Sequence, residues 1–96
     1  MEQFQPFHGT ITMIIDFWTG ENEEGVGCYK LMSIENEYGT LVNFVVTPTT
    51  YFIDHVMVTP GDMVTGFYDA YAAVPLIFPP QFKAIVMARD TQYQNV

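Results

Sequence analysis

Residues 9–18 read Gly9-Thr-Ile-Thr-Met-Ile-Ile-Asp-Phe-Trp18. Hydrophobic side chains occupy every second position, and successive side chains of an extended chain point to opposite faces. The alternation therefore predicts a half-buried β-strand. One face would carry Ile11, Met13, Ile15 and Phe17, and the other Thr10, Thr12, Ile14, Asp16 and Trp18.

The following residues predict two further strands. Residues 19–25 are acidic and rich in turn-forming residues, which indicates a loop. Residues 26–35 predict the second strand. Residues 40–47 predict the third, because β-branched and aromatic residues dominate this segment. A short connection between them ends in Gly39, which tolerates the positive φ of a hairpin turn. Pro48 ends the third strand, since it has no N–H for the ladder.

The second half of the chain alternates turn signals with short apolar runs. Residues 51–54 are compatible either with a short strand or with one helical turn capped by Thr49 or Thr50. Thr59-Pro-Gly-Asp62 predicts a type II turn, followed by a strand over 63–69. The prolines of residues 70–81 exclude a helix and predict a long apolar loop. A last strand is predicted over 82–90, and 91–96 is expected to be a frayed tail.

This order of elements resembles the OB-fold, a five-stranded Greek-key barrel. The resemblance covers about residues 8–90 and depends on the organisation and on the phrase Val58-Thr-Pro-Gly-Asp-Met-Val-Thr-Gly66, which is similar to the start of the fourth strand in such barrels. OB-folds usually have a helix before that strand. Here the segment between the third and fourth strands, residues 49–59, is too short for a helix, so a different small barrel is the alternative. We expect an all-β protein with a five- or six-stranded Greek-key barrel of OB-fold type. Residues 1–96 would form one domain with its ordered core at 8–90.

Composition excludes several classes of protein. Three basic residues stand against eleven acidic ones, giving a net charge of −8. Binding to nucleic acid needs lysine and arginine to neutralise phosphates, so nucleic acid is disfavoured as a ligand. No apolar run approaches the roughly 20 residues of a membrane helix. Cys28 is the only cysteine, so it has no partner for an intramolecular disulfide. We expect a cytoplasmic protein without a membrane partner.

The OB-fold resemblance implies a binding surface on the second and third strands, flanked by two loops. Here those loops are 19–25, which is acidic, and 70–81, which is aromatic and proline-rich. An apolar loop either packs back as a plug over the barrel end or contacts a partner. We therefore expect a non-enzymatic binding or interaction module that contacts a protein or small ligand through loop 70–81 and the face of strands two and three. The candidate binding residues are Trp18, Tyr29, Phe44, Tyr68, Tyr71, Phe78 and Phe82.

Catalytic and metal-binding patterns are weak. The acidic loop lacks the spacing of an EF-hand, and His8 and His55 belong to no paired-histidine motif. The sequence contains no nucleophile elbow or phosphate loop, so no catalytic residue, metal or cofactor is assigned. Two alternatives stay open, a single-stranded nucleic-acid-binding OB-fold and a small hydrolase or metal-binding protein. Because Ile14, Met32, Val42 and Phe44 place apolar residues on both faces of the sheet, we also expect a homo-oligomer.

Overall fold

A computed structural model describes residues 3–17, 29–72 and 76–90. The predicted all-β class is confirmed, since the elements within these residues are seven strands and one 3₁₀ turn. Trp18, Cys28, the acidic loop 19–25 and the tail 91–96 lie outside the described residues. The elements are β1 (Phe4–Phe17), β2 (Tyr29–Glu35), β3 (Leu41–Val46), β4 (Tyr51–Phe52), the 3₁₀ turn Ile53–His55, β5 (Met63–Asp69), β6 (Gln81–Lys83) and β7 (Val86–Arg89).

The strands form one mixed sheet with the order β4-β7-β5-β1-β2-β3-β6. The long first strand occupies the centre of this order, because its first half pairs with β5 and its second half with β2. The β3–β6 and β4–β7 pairs are parallel, and the other pairs are antiparallel. The first strand also begins earlier than residue 9, where the sequence predicted it.

The sheet is not closed into a barrel, so the finer prediction of a closed barrel is not shown. The two outermost strands of the order are β4 and β6. Only Ala84 and Ile85 separate β6 from β7 along the chain, although these strands pair with distant parts of the sheet. The Ala84 amide donates to the carbonyl of Val45, and the Ile85 amide donates to that of Phe67. The sheet is therefore strongly curled, and the single strand predicted over 82–90 is divided in two.

A β-bulge in β1 changes which side chains face the core. Ile11 pairs with Ile34 but Met13 pairs with Ser33, so Thr12 is an extra residue. Such a residue shifts the alternation of the bulged strand against its partner. Ile11 is buried, whereas Met13 and Ile15 are exposed. Ile11 therefore faces the core, and Met13 and Ile15 face away from it. The prediction that these three residues share one face is wrong.

The core is built around the ring of Phe44, which is 0% exposed. Ring centroids of Phe7, Tyr68 and Phe82 lie 6.5, 6.0 and 6.4 Å from that of Phe44. Tilted aromatic contacts at such separations stabilise a core beyond simple area burial. The other buried hydrophobic residues are Ile11, Met32, Ile34, Val42, Val46, Val64, Ala84 and Met87.

The residues from which self-association was predicted belong to this core. Met32, Val42 and Phe44 are buried, and Ile14 packs against the same cluster. They lie on the inner face of the sheet, so they offer no surface to a second copy. The exposed large apolar side chains described in β1 are instead Phe4, Met13 and Ile15.

The predicted turns are confirmed by their backbone angles. Gly39 has φ 85° and Gly61 has φ 100°, values that a residue with a side chain rarely adopts. The amide of Asp62 donates to the carbonyl of Thr59 at 3.0 Å, which closes the Pro60-Gly61 turn. Both interpretations of residues 51–54 apply in part, because β4 leads directly into the 3₁₀ turn, which has no side-chain cap.

Candidate functional site

The loop predicted over 70–81 is attached to the sheet at both ends. At its start, the Ala70 amide donates to the carbonyl of Gln3 at 2.8 Å. The Asp69 carboxylate accepts from the amide of Tyr71 at 3.0 Å. At its end, the carbonyl of Pro80 accepts from the Asn43 amide at 2.9 Å. These bonds hold the described part of the loop beside β1, β5 and β3.

Large apolar side chains of this loop are exposed. Leu76 is 99% exposed and Phe78 is 84% exposed, and Tyr71 and Ile77 are exposed as well. A plug over the core would bury these side chains. Tyr71 and residues 76–78 are therefore not buried against the sheet as the plug alternative requires, whereas Pro79 and Pro80 are half-buried. We call Tyr71 and residues 76–78 the apolar loop.

The predicted binding residues do not form one site. Phe44 lies in the core, and the half-buried rings of Tyr68 and Phe82 stack against each other there with centroids 4.1 Å apart. Tyr71 and Phe78 are exposed on the loop. Tyr29 is half-buried at the start of β2. Trp18 lies outside the described residues.

A second apolar surface includes one face of the predicted strands two and three, and the bulge in β1 adds residues that the sequence did not place there. The face of β1, β2 and β3 opposite the core carries the exposed Met13 and Ile15. In the register of the sheet, Ile15 lies beside Leu31, and Leu31 beside Val45. We call this surface the outer face. Its described members are Met13, Ile15, Tyr29, Leu31, Leu41 and Val45, which include Tyr29 of the predicted binding residues.

Hydrogen bonds connect the outer face to the end of loop 70–81. At the centre of the face, the Ser33 hydroxyl donates to the Asn43 side-chain carbonyl at 2.7 Å. This bond satisfies a buried hydroxyl, which would otherwise be costly. The backbone amide of Asn43 donates to the carbonyl of Pro80, at the end of the loop. The end of loop 70–81 is therefore attached to the strand that carries Asn43.

A polar pocket of about 360 Å³ lies beside the β2–β3 hairpin. His8 Nε2 lies 3.0 Å from Asp90 Oδ2, and both side chains are well exposed. The lining also includes Glu35, Glu37 and Tyr38. Among residues 3–17, 29–72 and 76–90 no group of three or more histidine, cysteine, aspartate and glutamate side chains is placed to hold a metal ion.

An apolar pocket of about 410 Å³ lies beside the connector that contains β4 and the 3₁₀ turn. Buried Met32 and Val46 contribute to it, and so do partly buried Ile14, Phe52 and Val58. The remaining lining residues are Lys30, Val56 and Met57. Lys30 is the single charged residue among the described side chains of this lining.

Two of the basic residues form ion pairs. Lys30 Nζ lies 2.8 Å from Asp16 Oδ1. Arg89 Nη1 lies 3.9 Å from Asp62 Oδ2 and donates to the carbonyl of Met57 at 3.4 Å. The chain as a whole is strongly acidic, because eleven acidic residues and three basic ones give a net charge of −8.

Comparisons of the chain with protein-family models, with curated proteins and with solved structures find no match. The fold and site thus define a small all-β protein with a seven-stranded mixed sheet and an exposed apolar loop. Within the described segments, no helix is long and apolar enough to cross a membrane.

Proposed function

We propose that this chain is a non-enzymatic interaction module that binds a protein partner through the apolar loop and the adjoining outer face. The observation that carries the proposal is the exposure of Leu76 and Phe78 on a loop that is attached to the sheet at both ends. Contiguous exposed apolar groups are uncommon on soluble proteins and mark interaction sites. A loop held beside a sheet also loses less conformational freedom on binding than a free one.

A protein suits these surfaces better than a small ligand. Sites for small molecules are concave and enclose most of the ligand. Leu76 and Phe78, in contrast, are almost wholly surrounded by solvent. They would act as anchors that enter a cleft of the partner, as large apolar side chains do at the centre of interfaces.

The charge of the chain indicates the chemistry of the partner's rim. Eleven acidic residues against three basic ones give a negative field around the apolar surfaces. Opposite charges across an interface steer association and suppress wrong partners. The partner we propose has an apolar cleft with lysine or arginine around it. Single-stranded nucleic acid fits less well, because the described outer face is mainly aliphatic where such binders have stacking rings and a basic groove.

The fold proposed for this module is a distant, partly open variant of the OB-fold. Two features support the variant: a long first strand that serves two neighbours and a final segment divided at Ala84. OB-folds are themselves partly open and bind through strands two and three with the flanking loops. The outer face and the apolar loop occupy the corresponding places.

Photo-crosslinking tests the proposed site in cells. A benzoylphenylalanine at position 78 is expected to give a discrete adduct with one partner. The same group at position 38 is the matched control, because Tyr38 is 81% exposed on the β2–β3 hairpin and belongs to neither apolar surface. Adding Leu76→Ser should lower the adduct yield at position 78 by roughly tenfold, since burying a leucine is worth about 1.5–3 kcal/mol.

Three results of this experiment would count against the proposal. Identical adducts at both positions would show collisional labelling, and no adduct at position 78 would leave the apolar loop without a partner. An adduct of twice the chain mass of 10.9 kDa would assign the loop to self-association. It would contradict the proposal of a different protein partner with basic residues around its cleft.

A further inference from the structure

The apolar pocket beside the connector takes no part in the proposed interaction. We propose that it binds an aliphatic carboxylate, with the hydrocarbon chain inside the pocket and the carboxylate on the ammonium of Lys30. The volume of about 410 Å³ lies within the range of roughly 300–1,000 Å³ that small-ligand sites have.

The walls of the pocket suit a flexible hydrocarbon chain. Met32 and Val46 are nearly inaccessible, and Phe52 and Val58 pack against the same core cluster. Methionine is unbranched and adapts its shape to an apolar ligand. Apart from Lys30, every described lining residue is hydrophobic.

Hydrogen bonds to the sheet fix the connector side of the pocket. The Tyr51 amide donates to the carbonyl of Ile85 at 3.0 Å, and Thr50 Oγ1 donates to that of Ala84 at 2.8 Å. Arg89 also donates to the carbonyl of Met57, which lines the pocket. The pocket is therefore preformed, so a ligand does not have to order this segment.

The position of Lys30 selects the head group of the ligand. Its half-exposed side chain lines the pocket, and its ammonium lies 2.8 Å from Asp16 Oδ1. An ammonium has three N–H donors and forms strong charge-assisted bonds with carboxylates. A ligand carboxylate would join Asp16 at this ammonium or take its place. A cationic head group would instead meet a like charge.

A titration of the full chain with three amphiphiles of equal chain length tests this site. The probes are decanoate, 1-decanol and decylammonium, each below its micelle-forming concentration, followed by methyl NMR signals. Decanoate is expected to shift the signals of Ile14, Val46 and Val58 and to bind more tightly than the other two probes. This order opposes the net charge of −8, which by itself favours the cation.

Two lysine variants separate the local charge from the overall charge. Lys30→Met keeps the aliphatic stem and should weaken decanoate about tenfold while leaving 1-decanol unchanged. Lys83→Met removes an exposed charge from β6 and should change neither affinity. The proposal would be overturned if the two variants had equal effects on decanoate binding. It would also be overturned if decanoate shifted only the signals of residues 76–78, or shifted none. Leu76→Ser should leave decanoate binding intact, so this proposal and the proposed interaction fail independently.

Discussion

Replacing Phe44 with alanine is expected to lower the free energy of unfolding by about 3–5 kcal/mol. The ring is fully buried and lies against the aromatic rings of Phe7, Tyr68 and Phe82. Its removal loses the transfer free energy of the ring and leaves a cavity that three large neighbours cannot all fill. Urea unfolding followed by circular dichroism measures the change.

Tyr38→Ala is the control for this prediction. It also deletes an aromatic ring, but from a side chain that is 81% exposed, so the stability should change by no more than about 0.5 kcal/mol. If the two variants lost equal stability, Phe44 would not be the centre of the core.

Replacing Gly9 with alanine is expected to destabilise the protein by about 1–3 kcal/mol or more. A Cβ at this position would lie 2.5 Å from the carbonyl oxygen of Glu35 and 2.8 Å from Ile34 Cγ2. The oxygen belongs to the backbone of β2, so relief requires β1 and β2 to separate. The midpoint of urea unfolding reports the loss.

Gly66→Ala is the matched comparison, because its Cβ meets only side chains. The nearest atoms are Phe44 Cε2 at 2.8 Å, Phe44 Cζ at 2.9 Å and Met87 Sδ at 3.0 Å, so the ring of Phe44 would have to shift but no backbone would. We expect Gly66→Ala to cost less than Gly9→Ala. The reverse order would show that the two strands separate easily at Gly9.

The local features of the fold could be predicted because short-range chemistry determines them. A glycine at the end of a short connection specified the positive φ of Gly39, and the Pro60-Gly61 pair specified the second turn. Pro48 marked the end of the third strand, and β3 ends at Val46. Each of these depends on a few adjacent residues.

The face assignments failed where the tertiary structure decides them. Nothing in the alternation of residues 9–18 reveals that Thr12 is a bulge, since the bulge is defined by the partner strand. In the same way, residues 40–47 are apolar on both faces, so the sequence could not assign Phe44 to the core. That ambiguity placed Phe44 in the predicted site, whereas Tyr68 and Phe82, which also pack against the core, were included because they stand beside loop 70–81.

The loop over 70–81 was the part of the site that the sequence could locate. Its prolines excluded regular structure, and its hydrophobic residues were too many for a solvated loop. Whether those residues pack on the sheet depends on long-range contacts, and the exposure of Leu76 and Phe78 favours a partner. The apolar pocket was not predictable, because β1, β2, β3 and the connector form it together.

The proposed interaction site requires that residues 76–78 lie in solvent in the isolated chain. The free energy of unfolding of a Leu76→Ser and Phe78→Ser double variant tests this most directly, since serine at exposed positions should change it by no more than about 0.5 kcal/mol. A loss of about 3 kcal/mol or more, comparable with that of a core truncation, would show that these side chains plug the sheet and would contradict the proposed interaction site.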